Sequence, residues 1–538
     1  MKYVLLVGLS GLLFLLSCYP PQAVQNQGVS ISPVNDYLEP HRPQFHFSPD
    51  SMWMNDPNGM VYYAGEYHLF YQFYPDSTVW GPMHWGHAVS EDLVHWEHLP
   101  IALYPDSIGL IFSGSAVVDW DNTSGFQQGE DPPMVAIFTY HNMEGERTEQ
   151  NDFQTQGIAY SNDKGRTWTK YEGNPVIPNP GIRDFRDPKV FWHGGIQRWV
   201  MIFASGDRVR LYHSPDLKAW VEVSEFGAME GGHGGVWECP DLFPLYVNGD
   251  STRVKWVMLV SLGSGGPNEG SGTQYFVGDF DGINFKNDHP AEDVLWLDYG
   301  KDNYAGVTYS DIPKEDNRRI FMGWMSNWQY ATLVPTHPWR SAMTVPRTLE
   351  LKETSEGLRL FTRPVDELGS LRGPAKEFAA DEVTDRLDLT SQVGSPQTSE
   401  LILTMEWEDG HEGKIGLTLA NGLNEHLDIG YDIAKQQLFI NRIEAGKKDF
   451  SNQFAGMHVA PLVLENELAL RIFIDWSSVE VFAEEGKVVM TETVFPNENF
   501  SSIAVFSEGG ILSGIKGRAY GLKRIWGGAT MNEGGESE

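Results

Sequence analysis

The chain has 538 residues, and its 39 Lys and Arg stand against 73 Asp and Glu, a formal charge of −34 at pH 7. A polyanion-binding surface needs clustered cations to displace counterions; no Lys/Arg-rich run is present, which argues against nucleic acid as a partner. With 41% hydrophobic residues, 56 Gly, 18 Trp, 21 Tyr and 28 Phe, the composition is that of a large packed chain rather than an acidic disordered one, and the length suits two or three domains, or fewer if they are all-β.

Lys2 followed by an apolar run over residues 4–16 has the charged start and short apolar core of a secretory signal. The run is too short to span a bilayer comfortably. Leu15, Leu16, Ser17 and Cys18 resemble a bacterial lipobox, so residues 1–17 are expected to leave as a signal peptide and Cys18 to carry lipid. An ordinary secretory signal with a stray cysteine is the alternative. The expected location is the cell envelope, with the lipid anchor as the link to membrane. Cys239 is the other cysteine, so the mature chain has no intramolecular disulfide framework. Residues 19 to about 40 are rich in Pro, Gln, Asn and Ser with little periodicity, and 18–42 reads as a lipidated tether.

From residue 43 the chain repeats itself. Asp56-Pro57-Asn58-Gly59 leads into strand-like residues 60–63, a turn at Gly65 and a second run over 67–71. Asp187-Pro188 leads into 190–192, a turn at Gly194-Gly195 and 199–203; Glu238-Cys239-Pro240 leads into Leu242-Phe243, a turn near Gly249 and 256–260. β-Branched and aromatic runs divided by glycine turns are hairpin signals. Outer turns also recur: Ser90-x-Asp92-Leu93-x-x-Trp96 matches Ser214-x-Asp216-Leu217-x-x-Trp220, with looser versions ending at Trp168 and Phe285. Ser113-Gly114-Ser115 and Asn303-Tyr304-Ala305 open two further units.

Unit starts at 56, 113, 187, 238 and 303 predict an all-β fold whose first part, residues 43–348, is a five-bladed β-propeller, with insertions beyond the usual ~40–50 residues per blade. First strands of a propeller line its channel, so Asp56, Asp187 and Glu238 are expected at the same place in three repeats, converging at one mouth. Alone, Asp-Pro-Asn-Gly is an ordinary β-turn composition; three acids at equivalent positions point instead to a shared site.

Two close carboxylates suit glycosidic bond cleavage, one attacking the anomeric carbon and the other, protonated, donating to the leaving oxygen. Repulsion and burial separate their pKa values, so both forms coexist near neutral pH. A third acid can hold ring hydroxyls and favour the positive charge of the transition state. No His or Cys spacing of a zinc site appears and no cofactor is called for; a calcium site of backbone and carboxylate oxygens stays open.

Trp53-Met54-Asn55-Asp56-Pro57-Asn58-Gly59, Phe112-Ser113-Gly114-Ser115, Phe185-Arg186-Asp187-Pro188 and Trp237-Glu238-Cys239-Pro240 resemble, in order, the hallmark segments of glycoside hydrolase family 32, the invertases, inulinases and levanases. Residues 74–87 and 323–330 also resemble its bacterial levanase members, and the resemblance runs from about Pro43 to the C-terminus. It implies a retaining double displacement with Asp56 as nucleophile, Glu238 as general acid/base and Asp187 as transition-state stabiliser. It also implies a fructosyl pocket of Trp53, Asn55, Gln72, Trp80, Phe112, Ser113 and Arg186, with Trp328 as a further candidate. Such residues supply amide and guanidinium hydrogen bonds and aromatic walls for a furanose. Cys239 has no neighbouring base and reads as an inert buried thiol.

After about Arg347 the blade pattern stops, and alternating strands begin with 358–363. Residues 470–476 and 479–483 read as a hairpin, and strands at such spacing suggest a C-terminal β-sandwich over 349–538, as in the family, buttressing the propeller. Asn122-Thr123-Ser124 fits a glycosylation sequon that is incidental in a bacterial chain. The leading expectation is an exported fructan β-fructosidase releasing terminal fructose from levan, inulin or sucrose-type ends. The alternatives are endo-levanase action, fructosyl transfer and a non-catalytic fructan-binding lipoprotein. Oligomeric state is not legible.

Overall fold

The computed structural model describes residues 36–526. The expected signal peptide 1–17, Cys18 and the tether up to residue 35 lie outside the described residues. Within them nearly every element is a strand.

Five four-stranded blades follow one another. They comprise Met52–Tyr63, Glu66–Tyr74, His84–Ser90 and Glu97–Leu103; Leu110–Val118, Met134–His141, Gln154–Ser161 and Thr169–Lys170; Phe185–His193, Arg198–Ser205, Val209–Ser214 and Val221–Phe226; Trp237–Val247, Asp250–Leu262, Gly272–Phe280 and Phe285–Asn287; and Tyr304–Thr308, Ile320–Met325, Arg347–Thr354 and Gly357–Pro364. The ring closes where blade 5 meets blade 1. Tyr62 N donates to the Ser310 carbonyl at 3.0 Å and Ser310 N to the Met60 carbonyl at 2.9 Å, while Trp339–Arg340 pairs in parallel with Met52 and Trp53.

The recurring Ser-x-Asp sequences are the turns between third and fourth strands. Asp92 Oδ1 accepts from Val94 N at 3.0 Å and His95 N at 2.8 Å; Asp216 Oδ1 accepts from Lys218 N and Ala219 N at the same distances. A short side chain that caps its own turn is what Asp and Ser are suited to. Leu93 and Leu217, next in each turn, take φ of +65° and +63°.

Blade 5 extends past the expected boundary at 348. Strand Arg347–Thr354 pairs with Ile320–Met325 on one side and Gly357–Pro364 on the other, so 349–364 belongs to the propeller. Its alternating leucines suit the outer half of a blade as well as a sandwich, so alternation alone does not mark the domain boundary. The expected tether also ends early. Tyr37 stacks on Trp526 with ring centroids 4.3 Å apart, and the buried Arg42 donates to Ser48 Oγ at 3.1 Å and the Pro49 carbonyl at 2.6 Å, so 36–42 is packed.

The sandwich has two six-stranded sheets enclosing an aliphatic core that includes Leu401, Leu417, Ile429, Leu470 and Val481. The expected hairpin is present: Leu470 pairs with Ala483 and Ile474 with Val479. Two buried ion clusters join sandwich to propeller. Arg347 holds Asp298 at 2.9 Å and also Glu480, whose other oxygen meets His46 at 2.8 Å. Arg442 holds Asp302 at 2.5 Å and Glu492 at 2.7 Å. Charges this deep persist only when paired.

Candidate active site

Every innermost strand breaks its pairing near its start, at the same height. Two residues face one on the second strand: 55–56 opposite Gln72, 112–113 opposite Thr139, 187–188 opposite Phe203, 239–240 opposite Val260 and 305–306 opposite Gly323. These are β-bulges, which re-aim side chains that strict alternation would send elsewhere. In blades 3 to 5 the first bulge residue takes a left-handed conformation, with φ of +64° at Asp187, +46° at Cys239 and +54° at Ala305. For non-glycine residues that conformation costs about 1–3 kcal/mol each.

The sequence places the three acids at one repeat position; the backbone puts them on three consecutive ones. Asp56 is the second bulge residue of its blade, Asp187 the first, and Glu238 immediately precedes its bulge. The extra residue turns the chain, so side chains one step apart in register still face a common centre.

Arg186 links two of the acids. Its Nε and Nη2 donate to Glu238 Oε1 at 3.2 and 2.9 Å, and Nε lies 3.9 Å from Asp187 Oδ2. Cys239 links Asp187 to Asp56: its N donates to Asp187 Oδ2 at 3.1 Å and its Sγ lies 3.7 Å from Asp56 Oδ2. Ser113 Oγ donates to Asp56 Oδ2 at 3.3 Å, and the Tyr304 hydroxyl donates to Glu238 Oε2. Asp56 Oδ1 is buried with no hydrogen-bond partner among the described residues.

Burial, then the Glu238 charge, raises the Asp56 carboxyl from 3.8 to about 6. Burial also raises Asp187 to about 7; Arg186 opposes it, while Glu238 and Asp56 add to it. The Cys239 thiol is pushed up by burial and then by the three acids, which makes it a poor nucleophile.

The family models match this architecture in two parts: residues 46–364 fit the glycosyl hydrolases family 32 N-terminal domain, and 367–520 the family 32 C-terminal domain. The chain belongs to glycosyl hydrolase family 32. It is 52% identical to a levanase of Bacillus subtilis over 496 residues, covering 91% of this chain and 72% of that protein. Its fold matches an exo-inulinase from Aspergillus awamori with a TM-score of 0.82 at 38% identity, over 91% of this chain and all of that one. It also matches a β-fructofuranosidase from Schwanniomyces occidentalis, complexed with fructosyl-erythritol, with a TM-score of 0.81 at 32% identity, over 92% of this chain and all of that one.

Around the acids of this family 32 chain, the resemblance-derived pocket residues divide. Trp80 and Phe112 meet edge to face with centroids 6.1 Å apart and stay partly exposed. Gln72 faces the bulge of blade 1 and donates to the Ile111 carbonyl at 3.1 Å. Trp328, half-buried, stacks on Trp53 at 6.0 Å. Trp53 itself is fully enclosed, so it forms no pocket wall; its Nε1 donates to Asn55 Oδ1 at 2.7 Å and fixes that amide from behind, and Asn55 in turn hydrogen bonds the Asp56 carboxylate.

Four supporting residues escape sequence reading. Tyr304 is one. Thr139, on the second strand of blade 2, accepts from Asp187 N at 3.0 Å. Asp184 takes Arg186 Nη1 at 2.6 Å. Gln154 Oε1 accepts from Phe185 N at 2.8 Å, and its amide nitrogen meets His141 Nδ1 at 3.1 Å beneath the Phe112 ring. The signal for Tyr304 was its place in the fifth repeat, where Asn303-Tyr304-Ala305 aligns with Trp237-Glu238-Cys239.

Proposed function

We propose that the chain is an exported, exo-acting β-fructosidase that releases terminal fructose from levan, inulin or sucrose-type ends through a covalent fructosyl intermediate. Asp56 attacks the anomeric carbon; Glu238 protonates the leaving oxygen and then takes a proton from the entering water; Asp187 holds ring hydroxyls and offsets positive charge in the transition state. Asn55, Gln72, Trp80, Phe112, Ser113, Arg186 and Trp328 form the fructosyl pocket.

The observation that carries this reading is the meeting of three carboxyl groups from three blades, cross-linked through Arg186 and Cys239. With Asp56 near 6 and Asp187 near 7, these two carboxyl groups titrate close to neutral pH, and above pH 6 Asp56 is mostly the carboxylate that attack requires. Similarity to a levanase and an exo-inulinase supports fructan as the substrate class. The charged start, apolar run and Leu15-Leu16-Ser17-Cys18 support export with lipid anchorage at Cys18.

Product analysis on levan tests the reading. Fructose is expected from the first minutes, and Glu238→Gln should lose about 10²–10⁴-fold in rate with its melting midpoint kept. Early oligosaccharides would sink exo action; full rate in Glu238→Gln would sink the assigned acid.

A further inference from the structure

The central channel has a second mouth. Innermost strands run on from the bulges, and their far ends, with the turns that follow, enclose a cavity of about 450 Å³. Asp187 lies near one end of strand Phe185–His193 and His193 at the other, which at ~3.3 Å per residue puts the outer rim of this cavity roughly 20 Å from the acids, while Lys189 and Asp241 line its inner end. The volume lies within the roughly 300–1,000 Å³ of small-molecule sites.

Its walls hold aromatic faces and unused donors. Trp120 and Trp192 keep 57% and 36% of their surface exposed, yet both are fixed. Trp120 Nε1 donates to Asp311 Oδ1 at 2.9 Å, and Trp192 packs edge to face on Trp199 at 5.3 Å. Arg319 lies over the Phe243 ring at 5.0 Å, and among the described residues its guanidinium donates one hydrogen bond, to the Tyr309 carbonyl at 3.3 Å. Most of its five N–H donors are left over. His193 stacks on Trp256 at 5.7 Å and adds a flat ring to the wall.

Charge selects the class of ligand. Lys189 is occupied by Asp241 at 3.3 Å and by the Thr308 carbonyl. Asp311 lies beside Arg319 and already accepts from Val118 N at 2.9 Å and from Trp120. Two cations, Lys189 and Arg319, stand against four carboxylates, Asp119, Asp121, Asp241 and Asp311, a balance that disfavours a phosphate or a carboxylate ligand. What stays unused is flat aromatic surface and guanidinium N–H, a set suited to uncharged hydroxylated rings. We propose that this far mouth is a second, non-catalytic carbohydrate site taking a short stretch of a fructan chain. The proposal rests on the fructan reading of the acid-bearing mouth and adds a second point of attachment. A polymer engaged at both mouths binds bivalently, so the site matters for levan and not for sucrose.

The test uses the full chain carrying Glu238→Gln to stop turnover, titrated calorimetrically with a levan-derived β-2,6-linked trisaccharide. Two binding events per chain are expected, and one after adding Trp192→Ala or, in a separate chain that keeps the ring packing, Arg319→Gln. A single event that neither change alters, or no second event at all, overturns the far site. In otherwise wild-type protein, Trp192→Ala should leave kcat/KM on sucrose unchanged, which also reports that it folds, and raise KM on levan severalfold. An unchanged KM on levan overturns the proposal. Lack of turnover of both sugars by the wild-type chain would instead bring down the fructan reading, so the two failures are distinct.

Discussion

Replacing Asp56 by Asn should remove activity and stabilise the protein, by an amount that depends on pH. Burial and the Glu238 charge raise the Asp56 carboxyl from 3.8 to about 6, against hydrogen bonds from Asn55 and Ser113 that lower it. A carboxyl with a folded value above its unfolded one holds its proton more tightly when folded, so ionisation works against the fold. The penalty is absent well below pH 3.8, grows between 3.8 and 6, and is complete above 6. At ~1.36 kcal/mol per unit, it comes to about 3 kcal/mol at pH 7.5 and less than about 1 kcal/mol at pH 4.

Asparagine keeps the shape and the acceptor for Ser113 Oγ, 3.3 Å away. Its amide nitrogen replaces an oxygen that is buried without a partner and stands beside two acids that accept hydrogen bonds. With an unfolding entropy of about 2.1 cal/mol/K per residue, the roughly 490 described residues, melting together, convert this into a rise of about 3 °C at pH 7.5 and under about 1 °C at pH 4. Differential scanning calorimetry on both proteins at both pH values reads it directly. A variant melting at or below the wild type at pH 7.5, or one with an equal gain at both pH values, would refute the reasoning.

Other expectations follow from the interface and the N-terminus. Arg347→Met leaves Asp298 and Glu480 buried without their guanidinium and should cost about 3–5 kcal/mol; a triple variant with Asp298→Asn and Glu480→Gln should recover most of the loss in midpoint. Burial pushes the His46 imidazole down, but Asp475 and Glu480 outweigh it and hold it at about 9. That raised value gives stability fully present below about pH 6.5 and lost as pH climbs through 9, so midpoints should fall between pH 7 and 10, and His46→Asn should flatten the slope. Cys18→Ser should abolish incorporation of labelled palmitate and move the protein out of the detergent phase; label retained in the variant would exclude lipidation there.

The blades were legible because their punctuation is local. Ser-x-Asp turns, glycine turns and aromatic runs each act over a few residues, and the self-capping of Asp92 and Asp216 is written into their own turns. The acids were legible because three of them recur at blade starts. Their register was not, since a bulge is a relation between two strands: whether 187–188 or 186–187 faces Phe203 depends on how the hairpin with strand Arg198–Ser205 closes, not on the residues of the first strand alone. Trp53 shows the same limit. Its neighbours Asn55 and Asp56 face the mouth, yet its ring is sealed between Trp324 and Trp328, from a different blade. Arg347 and Glu480 are over a hundred residues apart, and no local pattern announces such a pair.

That pair bears on why a sandwich stands behind a propeller whose acids it does not supply. Asp298 accepts from Arg347 at 2.9 Å, from Thr491 Oγ1 at 2.6 Å and from Asn303 Nδ2 at 3.0 Å. Asp302 accepts from Arg442 at 2.5 Å and from Thr493 N at 2.9 Å. Between them, a Cβ at Gly300 would lie 2.1 Å from Thr491 N, so the segment 298–303 is pressed against the sandwich strand Val488–Thr493 with no room for a side chain. The next residue is Tyr304, whose hydroxyl donates to Glu238. The sandwich thus fixes the start of the fifth innermost strand, and through Tyr304 one oxygen of the carboxyl assigned as acid/base; Arg186 fixes the other. A propeller cut off at Pro364 would leave Asp302 without Arg442 and the Asp298–Arg347 pair without Thr491 and Glu480 and release the Tyr304 segment, so catalysis and domain docking are coupled through a few residues rather than through shape alone.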